Sequence, residues 1–260
     1  ATGYTGINQN YAWGQDSWRD FDLAMKVLAP QVKGSDKAQW PKLFAGRYGS
    51  EISALLKSPE ELVHTSFWGG DLEAFIFQGL ARGLFQKKQF LFTVAGTAAY
   101  RPGKKLPEGL VLGSRGPYGI YANNLIDTEL ATWFRDAYVD RFGTLPTQGS
   151  YQYAQGILGA KYAYEKAAAA NGGKFPSTDQ VIAALEGATF QGIATEVRLA
   201  LNNGHQGLTD HMWGISKYDP DTGLPVVTDV VLYKAECVMP PDGVSSVEWI
   251  KGGMKGAQCD

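Results

Sequence analysis

The chain has 260 residues, enough for one large domain or two lobes around a sizeable core. With 44% hydrophobic and 19% charged residues it reads as an ordered globular protein. A net charge of −2 leaves no basic field for nucleic acid, and no apolar run reaches the ~20 residues that span a bilayer. No basic-then-apolar leader is visible, so the reading is a cytoplasmic chain or one already processed.

A short apolar element at Ile7 runs into polar Asn8, Gln9 and Asn10, then into the aromatic pair Tyr11 and Trp13 and into Gly14. Asp16 and Ser17 open a helix in which Trp18, Phe21, Met25 and Leu28 recur at helical spacing until Pro30 stops the run. Residues 31–49 read as loop. Ser50 caps a short helix carrying Ile52, Leu55 and Leu56, and a strand follows at 62–67. After Phe67-Trp68-Gly69-Gly70, Asp71 is the expected N-cap of a helix with Leu72, Phe75, Ile76 and Leu80 on one face. Strands follow at 89–94 and 109–114. This alternation is the pattern of βαβ units and a parallel sheet.

Helices dominate the next stretch: about Asp127–Phe142 closed by Gly143, about Tyr151–Ala170, and one opened by the capping box Ser177-Thr178-Asp179-Gln180. From His211 the pattern turns to β: "HMWGISKY", the "DPDTG" turn and "VVTDVVLYKAEC", which ends at Cys237, read as a hairpin that is free to rejoin the first region. The two cysteines, Cys237 and Cys259, lie in a loose Gly-rich tail. A disulfide pinning that tail is the reading favoured here, with free buried thiols as the alternative.

Catalytic motifs are missing. His64, His205 and His211 lack metal-ligand spacing, and no G-x-S-x-G, P-loop or G-x-G-x-x-G is present. Asp219 and Asp221 lack the rest of a calcium ligand set. No catalytic residue, metal or cofactor is expected. What remains is a repeated arrangement of strand end, aromatic, glycine and helix start, at Tyr11 to Gly14 and at Phe67 to Gly70. In parallel sheets ligands bind beyond the carboxyl ends of the strands, beside helix N-termini that favour anions. The aromatics offer apolar walls, and the glycines let backbone approach a ligand. The competing reading has the tryptophans packing as core at the strand ends.

The ordered series "INQNYAWGQDSWRDF", "SALLKSPEELVHTSFWGGDLEAFIFQGLARGL", "TELATWFRDAYVDRFGTLPTQGSYQYAQGILGAKYAYEKA" and "STDQVIAALEGATFQGIATEVRLALNNGHQGLTDHMWGISKY" resembles the type I periplasmic solute-binding proteins of the branched-chain amino-acid ABC transporter family. The likeness runs from about Ile7 to Tyr233. It implies an α/β fold of two Rossmann-like lobes with parallel sheets joined by hinge strands. Residues 1–115 plus 212–260 would form the second lobe and 116–211 the C-terminal part of the first, with crossings near Gly116 and His211. The N-terminal part of the first lobe has no counterpart here, so the chain alone is expected to bind ligand weakly or not at all.

The resemblance further implies a substrate-binding component of an ABC importer, periplasmic and non-enzymatic, that captures a small organic solute between its lobes by hinge closure. Its partners would be that solute and a membrane permease. The chain would be a fragment, a cleaved product or one piece of a split protein, and in the last case the segment without a counterpart would be a partner as a separate chain. A ligand sensor of the same fold is the alternative. Carried over position by position, the ligand-binding set is Tyr11, Trp13, Trp68, Gly69, Gly70, Asp71, Thr93, Ala95 and Gly96, with Arg115 and Tyr118 at the crossover. The turn "TVAGT" at 93–97 has no acid, where amino-acid binders of the family carry one for the ligand ammonium. That departure points to an aromatic carboxylate or amide, unless Asp71 stands in.

Overall fold

Parallel pairing organises the first part of the chain. In the computed structural model, which describes residues 1–118, 128–200 and 206–259, β1 (Gly3–Gly6), β2 (Lys33–Gly34), β3 (Leu62–Thr65), β4 (Gln89–Phe92) and β5 (Val111–Arg115) alternate with α1 (Ala12–Leu28), α2 (Gly49–Lys57) and α3 (Gly69–Ala81). Two later strands, β9 (His211–Asp219) and β10 (Leu224–Tyr233), extend the same sheet. The order is β10-β9-β5-β4-β3-β1-β2. The described residues fall into two compact units. One holds Ala1–Ser114, Met212–Leu232 and Ser246–Lys255; the other holds Arg115–His211, Tyr233–Ser245 and Gly256–Asp260.

Register decides which residues share a face of this sheet. Gly6 pairs with His64 and His64 with Leu91, whereas Val63 pairs with Phe90 and Thr65 with Phe92. On the His64 face, α1 lays Trp18 and Phe21 over Tyr4 and His64, with Phe21 stacked on the imidazole at 4.4 Å. On the opposite face, Phe75 of α3 meets Phe67, Phe85 and Phe90. Burying rings of this size on both faces is the main apolar contribution to the unit. A short helix, α8 (Ser246–Lys251), buries Trp249 and Ile250 and packs on α1.

The helix starts differ from expectation. α1 begins at Ala12 behind an extended Tyr11, four residues before Asp16, because Asp16 pairs with Arg19 at 2.6 Å instead of capping. α2 begins behind Tyr48, and the Ser50 hydroxyl turns to Glu51. α3 begins behind Trp68, so Asp71 lies in its first turn and is not its N-cap. Residues 31–49, read as loop, contain β2, and Gln39 forms a further parallel bridge to Ile7.

In the second unit, α4 (Glu129–Phe142) is capped by the Thr128 hydroxyl and ends on left-handed Gly143. α5 (Gln148–Ala170) packs on α6 (Thr178–Leu185), which opens with the complete Ser177/Gln180 capping box. Both units also gain strands that the sequence reading passed over or ended late. β6 (Thr189–Gln191), β7 (Glu196–Ala200) and β8 (Gln206–Leu208) form an antiparallel sheet, with Phe190 against Gly159 and Tyr162 of α5. The strand expected to reach Cys237 ends at Tyr233, and a short helix, α7 (Ala235–Val238), follows.

The division of the tail also differs from the lobe boundaries read in the sequence. Residues 233–245 and 256–260 belong to the second unit, where Glu236 pairs with Arg198, Lys234 with Asp210, and Ala235 packs with Ala200 and Leu208. A disulfide joins Cys237 to Cys259 within this segment. By loop entropy a ring of this length stabilises by about 3 kcal/mol.

Two consequences of the packing can be measured. A Cβ on Gly14 would lie 2.0 Å from the Gln9 carbonyl oxygen, whereas one on Gly156 in α5 would meet nothing within 4 Å. Gly14→Ala should therefore cost about 3 kcal/mol in urea unfolding, while Gly156→Ala should gain up to ~1 kcal/mol from helix propensity. Equal effects at the two positions would contradict this packing. His64 is fully buried, which drives its imidazole down to about 3. The unfolded chain takes up that proton near pH 6.5 and the folded chain does not, so stability present at pH 7 is lost as pH falls from 6.5 towards 3. The urea midpoint of His64→Leu should fall less between pH 7 and 4 than that of the unaltered protein. An identical slope would remove His64 as the cause.

Candidate functional site

From β1 the chain crosses to β2 on one side and then returns to β3 on the other. Neighbouring strands β1 and β3 thus send their helices, α1 and α3, to opposite faces of the sheet. This is a topological switch point, the place in an open parallel sheet where the strand ends part to leave a crevice. Tyr11, Trp13, Trp68, Gly69, Gly70 and Asp71 all belong to the two turns at that point.

Hydrogen bonds lash the turns together. Ser66 donates both its backbone N–H and its hydroxyl to Asn8 Oδ1, at 2.8 and 2.7 Å. Trp13 Nε1 donates to the Ser66 carbonyl at 3.1 Å, and Trp68 Nε1 donates to the Tyr11 hydroxyl at 2.7 Å. The aromatics are half-buried. Neither deep core nor surface, they tie one strand end to the next and keep one side towards solvent.

The glycines do different work. Gly14 is buried against Gln9 and admits the backbone of its own turn, which corrects the expectation that it opens space for a ligand. Gly69 adopts φ +55°, and a Cβ on either Gly69 or Gly70 would meet nothing within 4 Å. The second turn therefore exposes bare backbone. Neither α1 nor α3 is capped by the side chain of its own N-cap residue; the first turn of α1 carries no acid and suits an anion, whereas that of α3 already holds Asp71.

Asp71 is 4% exposed and its carboxylate is already engaged. One oxygen accepts from Gln9 Nε2 at 2.6 Å and from the Phe44 backbone N–H at 2.8 Å. Beside it, the Tyr48 phenol is pushed up by burial and by the Asp71 charge, yet its hydroxyl has no hydrogen bond of good geometry. Gln9 Oε1 and Asn8 Nδ2 are likewise buried without a partner. Unmatched buried groups of this kind cost about 1–3 kcal/mol each and gather at binding sites.

The third turn reaches the same place through Thr97, whose hydroxyl accepts from the Gly69 N–H at 3.2 Å. Thr93 donates its N–H to Thr65, while Ala95 and Gly96 are buried beneath the turn. Arg115 and Tyr118 belong to the second unit. Tyr118 is fully buried there, stacked on Tyr151 at 5.4 Å and bonded to Gln155 through its hydroxyl, so it is a core side chain of that unit. His64 and His211 are core and half-buried strand residues; His205 lies outside the described residues.

The sequence reading missed Phe44. Its backbone is left-handed, φ 59°, a conformation that costs a bulky residue about 1–2 kcal/mol, and its ring stands edge-on to Trp68 at 5.7 Å. Nothing local in residues 31–49 marks that pairing. Among the described residues no cluster of His, Cys, Asp or Glu could hold a metal, and no helix is long and apolar enough to cross a membrane.

Known proteins share this arrangement of strands and helices. The solute-binding protein of an ABC transporter from Rhodopseudomonas palustris BisB5, in complex with 3,4-dihydroxybenzoic acid, is 15% identical over 90% of this chain and 61% of its own, with a TM-score of 0.73. A second from R. palustris, with 4-hydroxybenzoate, is 16% identical over 90% and 61%, TM-score 0.69. An ABC-type branched-chain amino acid transporter protein from R. palustris CGA009 is 19% identical over 90% and 60%, TM-score 0.59. The chain spans about three fifths of each, and likeness at this identity establishes the fold. No comparison supports a separate chain carrying the remaining segment, and no curated protein matches. Residues 4–219 match the family described as "Periplasmic binding protein". The chain belongs to the periplasmic binding protein family, whose members bind solutes and are not enzymes, and it has the type I fold.

Proposed function

We propose that this chain is the substrate-binding component of an ABC importer, acting in the periplasm with a membrane permease, and that its ligand is a small aromatic carboxylate. The first unit would be the second lobe of the fold and supply the aromatic wall, and the second unit would be the C-terminal part of the first lobe. The observation that carries the ligand class is the state of Asp71. Its carboxylate is buried and occupied by Gln9 and Phe44, and the 93–97 turn has no acid, so the described turns of the first unit offer no carboxylate to an ammonium group. They offer instead half-buried tryptophans, open glycine backbone and the uncapped start of α1, the groups that suit a ring and an anion. The relatives bound to hydroxybenzoates support the same reading by analogy.

Saturation-transfer NMR, which reads weak binding, tests this with 4-hydroxybenzoate, benzoate and leucine. Both aromatic acids should bind and leucine should fail to displace them. Trp68→Ala should weaken 4-hydroxybenzoate more than tenfold while the melting temperature moves by only a few degrees. Leucine competing as well as the acids would overturn the ligand class, and collapse of the Trp68 variant would make that ring a core residue.

A further inference from the structure

Phe44 is 69% exposed and adopts a left-handed backbone, two unfavourable choices for one aromatic residue. The loop around it is well fastened. Asn8 N–H donates to the Gln39 carbonyl, Asn10 N–H to that of Pro41, and Gln78 links to both Gly46 and Tyr48. At the centre, the Phe44 N–H donates to buried Asp71, which Gln9 also holds. This frame fixes one outcome: the Phe44 ring edge-on to Trp68, with most of its surface in solvent. Strained residues held by an over-determined frame concentrate where a protein touches a ligand. Resting on the ligand reading above, we propose that Phe44 is a further specificity-determining contact for the ligand's aromatic ring and that Asp71 is its positioning residue, not a partner for a ligand charge.

The distinction can be read with charge-neutral substitutions. Asp71→Asn can place its amide oxygen where that one carboxylate oxygen lies and accept from both Gln9 Nε2 and the Phe44 N–H, so it preserves the frame without the charge. Asp71→Asn should keep 4-hydroxybenzoate binding within about threefold. Asp71→Ala should lose at least fivefold and speed hydrogen exchange at the Phe44 amide more than tenfold. Phe44→Gly, which removes the ring and relieves the backbone, should lose at least fivefold for 4-hydroxybenzoate but under twofold for cyclohexanecarboxylate, with an unchanged or higher melting temperature. Phe44→Leu, which keeps bulk and backbone demand, reads the same selectivity should the glycine variant fail to fold. Asp71→Asn falling as far as Asp71→Ala would overturn the positioning role. Unchanged selectivity in both Phe44 variants, with Trp68→Ala still impaired, would remove Phe44 and leave the ligand reading standing. Binding of leucine but not of 4-hydroxybenzoate by the unaltered chain would sink both together.

Discussion

The amide of Asn8 holds two strand ends in one place, and the geometry of the switch point depends on it. The pairing of β1 with β3 runs from Tyr4 and Leu62 to Gly6 and His64, beyond which α1 and α3 depart to opposite faces. Without a bond across the gap, the two turns would be independent loops. Asn8 Oδ1 takes both donors of Ser66, and the Ser66 carbonyl in turn receives Trp13. Such a chain of linked bonds polarises and rigidifies its members together.

Close packing beneath the turns makes the arrangement possible. Gly14 lets the helix start against Gln9, which places Tyr11 at the N-cap and Trp13 in the first turn. The rings then reach over to the neighbouring turn, where Trp68 meets Tyr11. Polar turn residues could satisfy the same donors, but they would not build a wall. Large amphipathic rings do both: the indole N–H is spent on the partner turn and the ring face remains available. The arrangement keeps several buried polar atoms unmatched, a cost that a fold optimised for stability alone would have removed.

Much of this architecture was legible in the sequence. The alternation of strand and helix over the first 115 residues reports a parallel sheet, and the helical spacing of Trp18 and Phe21 reports the face of α1 that covers it, whereas Leu28, read as part of the same run, is 69% exposed. Starts of helices were less legible, because α1, α2 and α3 all begin without a side-chain cap, while Asp16, Ser50 and Asp71 look like caps and serve other partners. Strands β6 to β8 escaped notice because each has only three to five residues, too short to show alternation. The aromatic turns were visible as composition, and their mutual bonding was not. Phe44 was invisible, since its meaning comes from Asp71, 27 residues away.

The position of β9 in the sheet has a consequence for how the chain is made. β9 lies against β5, yet 95 residues separate Arg115 from His211. At synthesis rates of about 5–20 residues per second, β5 emerges with a bare edge some 5–20 seconds before its neighbour exists. During that interval the nascent sheet presents unpaired backbone to whatever strand arrives first. The second unit, inserted between the two strands in sequence, is therefore also a delay line, and the later it clears the ribosome the longer chaperones must guard that edge.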